Sequence, residues 1–282
     1  MSEERGLIEY LNEYLSGGQV QLPVSNMAGL RLRQEISRAD ANPKEIERLI
    51  MTDQALTAQV LKIANSAFYR GLHKVTSVRE AILRLGMLEI SNIITLVTQK
   101  QAFRSQDPFI AELLEKLWQH SVACAVGAQW LAQSCNFRMI LNEAFLAGLL
   151  HDIGKLFLLT VMETTQLSEK FDLRFNPQVV QQALADLHTE YGYSLLKSWN
   201  FPEVYYQVAH EHHRENYDFK NDLLVIVRMA DQTCRKMGIG SGVDPGILLG
   251  ATPEATLLGL SEIAIAELQI KMEDSLFLAD ME

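Results

Sequence analysis

"LAGLLHDIGKLFLL", residues 146–159, sets a histidine, an aspartate and a lysine in the middle of an otherwise apolar run. The segment before them, "EAFLAGLL" (143–150), reads as an apolar helix in which Ala144, Ala147 and Gly148 share the face of His151. Gly154 then supplies a permissive backbone on which the chain is expected to turn. Adjacent residues of a helix point about 100° apart. At a helix end, however, His151 and Asp152 can still converge on one ion lying between the two directions.

Outward from this run, segment boundaries are written as helix starts. "NPKE" (42–45) places Asn42 as N-cap, Pro43 at the first helical position and Glu45 where a capping box needs it. "DPF" at Asp107, "NPQ" at Asn176, "FPE" at 201–203, "DPG" at Asp244 and "TPE" at Thr252 repeat the cap-then-proline signal. "SVRE", Ser77 to Glu80, is a further capping box. Between these signals apolar residues recur at three and four, as in Leu56, Val60, Ile63, Ala64 and Ala67. Alternating strand patterns are missing, so the chain is read as all-α. A short polar break, "FRSQDP" (103–108), divides it into an N-terminal helical block, residues 1–106, and a second helical block, 107–282. One of the seven histidines, His73, lies in the first block. The site is therefore expected in the second.

Composition narrows what such a site can be. With 282 residues and 48% hydrophobic content the chain can bury a large core without a disulfide scaffold. Its three cysteines, Cys124, Cys135 and Cys234, are odd in number and lack CxxC spacing, which argues against a disulfide framework and against a zinc ribbon. A reducing cytoplasm is the expected location. No run reaches the roughly 18 apolar residues that a membrane span needs, so no membrane contact is expected. A net charge of -10 speaks against a nucleic-acid footprint, because phosphate neutralisation needs clustered Lys and Arg. Any bound phosphate has to be held locally, by a metal or a few cations.

Six histidines and two acids of the second block supply that local chemistry. His120 lies in "LWQHSVACAVGAQWLA" (117–132), with Cys124, Gly127, Ala128 and Leu131 following at helical spacing. His188 opens "HTEYGYSLL" (188–196), with Gly192 and Leu196 on its face. In "HEHHREN" (210–216), helical spacing puts His210 and His213 on one face and His212 on another. Asp231 sits on the apolar side of "IVRMADQTCRKMG" (226–238), flanked by Val227, Ala230 and Cys234. Taken singly, a buried histidine bonded to a carbonyl is commoner than a metal ligand, and Cys124 and Cys234 read as small core residues. Together, neutral imidazoles and carboxylates on buried helical faces form a ligand set for Zn²⁺, Mn²⁺ or Fe²⁺. His73 and His210 read as surface or supporting residues, and Lys155 as either a solvated helix-end cation or a phosphate contact.

"LLHDIGK" (149–155), with an upstream helical histidine and a downstream "AD" (230–231), resembles the HD phosphohydrolase superfamily. Its basic metal set implies His120, His151, Asp152 and Asp231 here. "HTEYGYSLL" and the adjacent pair of histidines resemble the HD-GYP branch, which implies His188, His212 and His213 around a second ion. In the first block "QLPVS" (21–25), "TDQALTAQVLKIANSAFYR" (52–70) and "VTSVREAILRLG" (75–86) resemble the HDOD output domain of bacterial signalling proteins, over roughly residues 20–215. That resemblance implies an N-terminal helical bundle packed on an HD-like helical bundle. HDOD domains generally have incomplete ligand sets, whereas this sequence keeps every position. After His213 the chain reads "RENYDFKND" (214–222), so the Gly-Tyr-Pro loop that HD-GYP enzymes use on cyclic dinucleotides is missing. Gln54 stands where the HDOD pattern commonly has proline, and Asp53 can still cap the helix.

Two functions follow from the resemblance. The first is a phosphohydrolase dependent on one or two divalent transition ions, acting on a phosphate ester or nucleotide, with Asp152 ligating or bridging and positioning the nucleophile, and Lys155 and Arg214 binding phosphate. The second is a regulatory or scaffold protein without turnover, whose N-terminal helices contact a signalling partner.

Overall fold

The computed structural model describes residues 42–69, 71–166 and 177–280, and every regular element among them is helical. Three helices form the N-terminal part: α1 (Pro43–Met51), α2 (Gln54–Ala64) and α3 (Val78–Gln99). A long α4 (Pro108–Ser134) follows, then α5 (Leu141–Leu150), α6 (Ile153–Gln166), α7 (Pro177–Ser198) and α8 (Glu203–Glu211). The chain closes with α9 (Asp222–Met237), the short α10 (Pro253–Leu257) and α11 (Glu262–Asp280).

Local chemistry explains where these helices begin. The side chains of Asn42, Asp53, Ser77, Asp107 and Thr252 each accept a backbone N–H from the first turn that follows, satisfying donors a helix start leaves orphaned. Glu80 returns to the N–H of Thr76 at 2.7 Å, closing the cap ahead of α3. Two expected starts differ. Pro202 is itself the N-cap of α8, behind a buried Phe201. "DPG" opens a turn rather than a helix, with Asp244 Oδ1 accepting from the N–H of Gly246. Asn176 and "QLPVS" lie outside the described residues. Within α3 the chain kinks at Gly86, whose φ of 83° is open to glycine and strained for other residues.

The 27 residues of α4, about 40 Å of helix, form the axis of the molecule. One side of α4, with Trp118 and Val122, packs against the core of α1–α3 together with Phe145 of α5 and Leu278 of α11. Leu113, Leu114 and Leu117 face α6 and α7 in a second cluster. Ala123, Cys124, Ala128 and Leu131 face α5, α9 and α11 in a third. The N-terminal helices are thus packed on a larger helical bundle. Two spans, Val78–Phe103 and Arg138–Glu163, have the length and mean hydropathy, 1.5 and 1.6, of a membrane-crossing helix. They meet that test as averages, without the unbroken apolar run the sequence reading sought. In the second span 89% of the apolar window is buried in the protein, so its composition is that of a core element.

Candidate metal centre

The centre lies where α4, the α5–α6 junction, α7, the end of α8 and α9 converge. His120 projects from the middle of α4, and His151 and Asp152 occupy the two-residue turn between α5 and α6. His188 comes from α7, His212 caps the C-terminus of α8, His213 follows it, and Asp231 comes from α9. Six of these seven are buried, at 6% exposure or less, while the His213 side chain keeps 34%.

Distances divide the cluster into two halves that share Asp152. On one side His120 Nε2 stands 3.1 Å from His151 Nε2, 3.3 Å from Asp152 Oδ2 and 3.3 Å from Asp231 Oδ1. On the other, His188 Nε2 and His212 Nε2 each lie 3.4 Å from Asp152 Oδ1 and 3.4 Å from one another. His213 Nδ1 is 3.8 Å from Asp231 Oδ2, at the exposed rim. The structure therefore brings together all seven residues singled out in the sequence. His210 stands apart on the surface between Glu190 and Arg214, and exposed His73 offers its backbone carbonyl to Arg84. The helical-face reading of "HEHH" fails because α8 ends at Glu211, so His212 and His213 leave the helical register and turn inward.

What the imidazoles present to one another follows from their other ring nitrogens. The Nδ1–H of His151 donates to the Gly148 carbonyl at 2.8 Å, and that of His188 to Leu184 at 2.7 Å. His212 donates from Nδ1 to Val208 and Ala209, and His120 to Ile239 at 3.3 Å. A carbonyl can only accept, so each neutral ring carries its proton on Nδ1 and turns the Nε2 lone pair into the cluster. Asp152 Oδ1, buried and acceptor-only, consequently has no hydrogen-bond donor among the described residues. Three inward lone pairs, a fourth that His120 presents when its ring is neutral, and an orphaned carboxylate oxygen fit a divalent cation, and outward N–H anchoring is how ligating histidines are commonly oriented.

Protonation equilibria agree with this donor set. Burial pushes His188 down to about 4, and lowers His151, His212 and His213 as well, so these rings stay neutral near pH 7. Burial opposes charge on Asp152 too, yet the Lys155 ammonium, with the hydrogen bond from His120, outweighs it and holds the carboxyl well below its usual range. Asp231 is lowered in the same way, chiefly by His120 against the effect of burial. His120 is the exception. Burial disfavours its cation, but Cys124 and the carboxylates of Asp152 and Asp231 draw a proton back to it.

A cavity of about 510 Å³ opens onto the centre, walled by Leu113, Leu117 and Leu184 and reaching His120, Asp152, His188, His213 and Asp231. Its cations are Lys155, whose Nζ lies 2.6 Å from Asp152 Oδ2, and Arg235. Arg214, expected as a phosphate contact, does not line the cavity and bonds His210 instead. Arg235 was missed, although it follows Asp231 by four residues on α9, a spacing that puts both on one face.

An all-helical protein built around a buried histidine–aspartate cluster with two halves is the class that fold and site define. The chain belongs to the HDOD family, whose domain matches residues 22–215. Its fold is shared with an HDOD domain protein of unknown function from Geobacter sulfurreducens, 23% identical, with a TM-score of 0.75 over 98% of both chains. A Shewanella amazonensis SB2B protein named as a candidate metal-dependent phosphohydrolase is 24% identical, with a TM-score of 0.73 over 98% of this chain and all of that one. An uncharacterised protein of Treponema pallidum (strain Nichols) is 24% identical over 217 residues, 73% of this chain. The chain spans about 40% of the length of that relative.

Proposed function

We propose that the centre binds one or two divalent transition ions, of zinc, manganese or iron, and hydrolyses a phosphate ester. The observation that carries this reading is the shared carboxylate of Asp152, with Oδ2 facing His120 and His151 and Oδ1, lacking a donor among the described residues, facing His188 and His212. A divalent ion held there supplies Lewis acidity and lowers the pKa of water. Lys155 and Arg235 provide local positive charge for an anionic phosphate on a protein whose net charge is -10. The leucine wall of the cavity takes the apolar part of the ester and excludes water from one side. The similarity to the Shewanella protein named for this activity supports the assignment.

The test is elemental analysis of purified protein combined with a panel of phosphomonoesters, mononucleotides and linear and cyclic dinucleotides. Stoichiometric metal and turnover are expected in the unaltered chain, with both lost in the His151→Ala, Asp152→Ala double variant. Metal-free protein as purified, with no uptake on reloading, would end the reading.

A second reading has its own observation. The segment after His213, where the HD-GYP branch carries its substrate loop, is here held at Arg214 and Tyr217: Arg228 donates to the Arg214 carbonyl at 2.9 Å and lies over the Tyr217 ring at 3.8 Å, and the Tyr217 hydroxyl donates to Glu254 at 2.8 Å. On that reading the site holds metal structurally, and the N-terminal block, divided from the rest near residue 106, contacts a signalling partner in the cytoplasm. The double variant then loses metal and keeps partner binding, and no substrate of the panel turns over.

A further inference from the structure

Cys124 follows His120 by one helical turn on α4 and is fully buried. Its sulfur stands 3.7 Å from His120 Nε2, and the ligating atoms of Cys124, His120, His151 and Asp231 all lie within 4.8 Å of one another. With metal–nitrogen bonds of about 2.1 Å and metal–sulfur bonds of about 2.3 Å at tetrahedral angles, neighbouring nitrogen or oxygen donors stand about 3.4 Å apart and a nitrogen–sulfur pair about 3.6 Å. The observed separations are 3.1 Å for His120–His151, 3.3 Å for His120–Asp231 and 3.7 Å for His120–Cys124. The His120–Cys124 separation lies close to the nitrogen–sulfur value, while His151–Asp231, at 4.0 Å, is wider than a tetrahedral pair and would have to close on an ion.

Charge gives a second argument. Lys155 already faces Asp152 Oδ2 at 2.6 Å, whereas Asp231 has no lysine or arginine ion pair among the described residues. A dication buried with a single uncompensated negative charge is costly, and a thiolate supplies the second. That a cation belongs in the cluster at all is indicated separately, on the His188–His212 side, by Asp152 Oδ1, buried without a donor among the described residues.

We propose that Cys124 is a metal ligand, completing a His120, His151, Asp231 donor set, and that this half of the centre therefore selects a thiophilic ion, zinc or ferrous iron, over manganese or magnesium. The inference rests on the metal-binding reading above and refines its chemistry. On binding, the S–H bond of Cys124 breaks, its proton leaves to solvent, and the sulfur electron pair forms the bond to the ion, with no change in oxidation state. Cys234 stays outside the donor set. Its sulfur lies 3.5 Å from that of Cys124 and its S–H reaches the His120 carbonyl at 3.9 Å, so it orients the neighbouring sulfur.

The experiment is to strip the full chain with a chelator, reload it with Co²⁺, and record sulfur-to-cobalt charge-transfer absorption in the near ultraviolet alongside cobalt content. The band is expected in the unaltered protein and in Cys234→Ala. It is expected to vanish in Cys124→Ser and Cys124→Ala while circular dichroism shows a retained fold. Zinc affinity should fall at least tenfold in the Cys124 variants, and manganese affinity should change little. Stoichiometric cobalt without a sulfur band, or a band that survives Cys124→Ser, overturns the proposal and leaves the metal-binding reading standing. Failure to take up cobalt, zinc or manganese overturns both.

Discussion

Replacing Gly154 by alanine should destabilise the protein, although helix propensity alone predicts the opposite. Gly154 lies in the first turn of α6, where alanine is ordinarily favoured by about 1 kcal/mol. A Cβ at this position, however, would stand 1.9 Å from the carbonyl oxygen of His188 and 2.7 Å from the backbone nitrogen of Gly192. Both are backbone atoms of α7, so no side chain can rotate away, and the two helices must part locally by about 1.5 Å to reach the 3.4 Å of ordinary contact. Overpacking costs about 1–3 kcal/mol and sometimes more. A backbone collision belongs at the upper end, so the net loss is about 2 kcal/mol after the propensity gain. For a chain of this size that lowers Tm by about 4–8 °C. The parting also separates Asp152 from His188, which stand 3.4 Å apart, so bound metal should fall. Gly192→Ala is the matched control: it carries the same propensity gain, and its Cβ would meet Gly154 N at 3.4 Å and Ala209 Cβ at 3.6 Å, which are tolerable contacts. Thermal unfolding by far-ultraviolet circular dichroism, with and without chelator, measures both. If Gly154→Ala proved as stable as Gly192→Ala, the crossing would not be as tight as described and the reasoning would be wrong.

Three further outcomes follow from named contacts. Arg228→Ala leaves Glu254 buried at 1% exposure with its charge unpaired, and strips donors from the His212 and Arg214 carbonyls. A loss of about 3 kcal/mol in urea unfolding is expected, with weakened metal binding and little rescue by Arg228→Lys, which has no planar fork. In the chelator-stripped protein, His188 has a folded pKa of about 4 against an ordinary 6.5, so the unfolded chain binds the extra proton first. That contribution is complete above about pH 6.5 and is lost as pH falls toward 4, by about 3 kcal/mol. His120, raised above 6.5, changes in the opposite sense and its contribution is nearly complete below the unfolded value, so urea midpoints should fall from about pH 6.5 to pH 4; a flat profile would show that these rings are not buried neutral. Asp107→Ala removes the acceptor for the N–H groups of Phe109 and Ile110 at the start of α4 and should cost about 1 kcal/mol by the same unfolding assay, without altering metal content.

How much could be read from the sequence follows the range of each interaction. The helices were legible because their caps act within three residues: Asn42, Asp53, Ser77 and Thr252 close their own first turns and need no distant partner. Asp244 was misread because Asx-Pro-Gly serves a tight turn as well as a helix start, and local sequence does not separate the two. Gly154 was misread for a related reason. A glycine that permits a turn and a glycine that permits two helices to touch are the same letter, and the touching partner, Gly192, lies 38 residues away in sequence. Helical spacing identified which residues share a face of one helix, but which faces meet is decided by packing. The order of the metal-type residues therefore came from resemblance, whereas helical spacing put Arg235 on the face of Asp231 but only the packing of α9 showed that this face, and not Arg214, lines the cavity.

The placement of the histidines also resolves a conflict between stability and chemistry. A helix leaves its last carbonyls without partners, and those ends carry partial negative charge. His151 and His212 sit at the C-terminal ends of α5 and α8, and their Nδ1–H groups satisfy Gly148 in the one case and Val208 and Ala209 in the other. The hydrogen bond that finishes each helix also fixes the tautomer that turns Nε2 toward Asp152. Burial keeps these rings uncharged, while the carbonyl contact favours electron density on the ring and makes Nε2 a better donor. Asp152 occupies the complementary place at the start of α6, where a carboxylate is favoured by the helix dipole. The two-residue turn of "LLHDIGK" thus sets a histidine at the end of one helix, where its Nδ1–H satisfies a terminal carbonyl, and an aspartate at the start of the next, where the dipole favours its charge. Their polarity, anomalous in an apolar run, is what the helix termini there require.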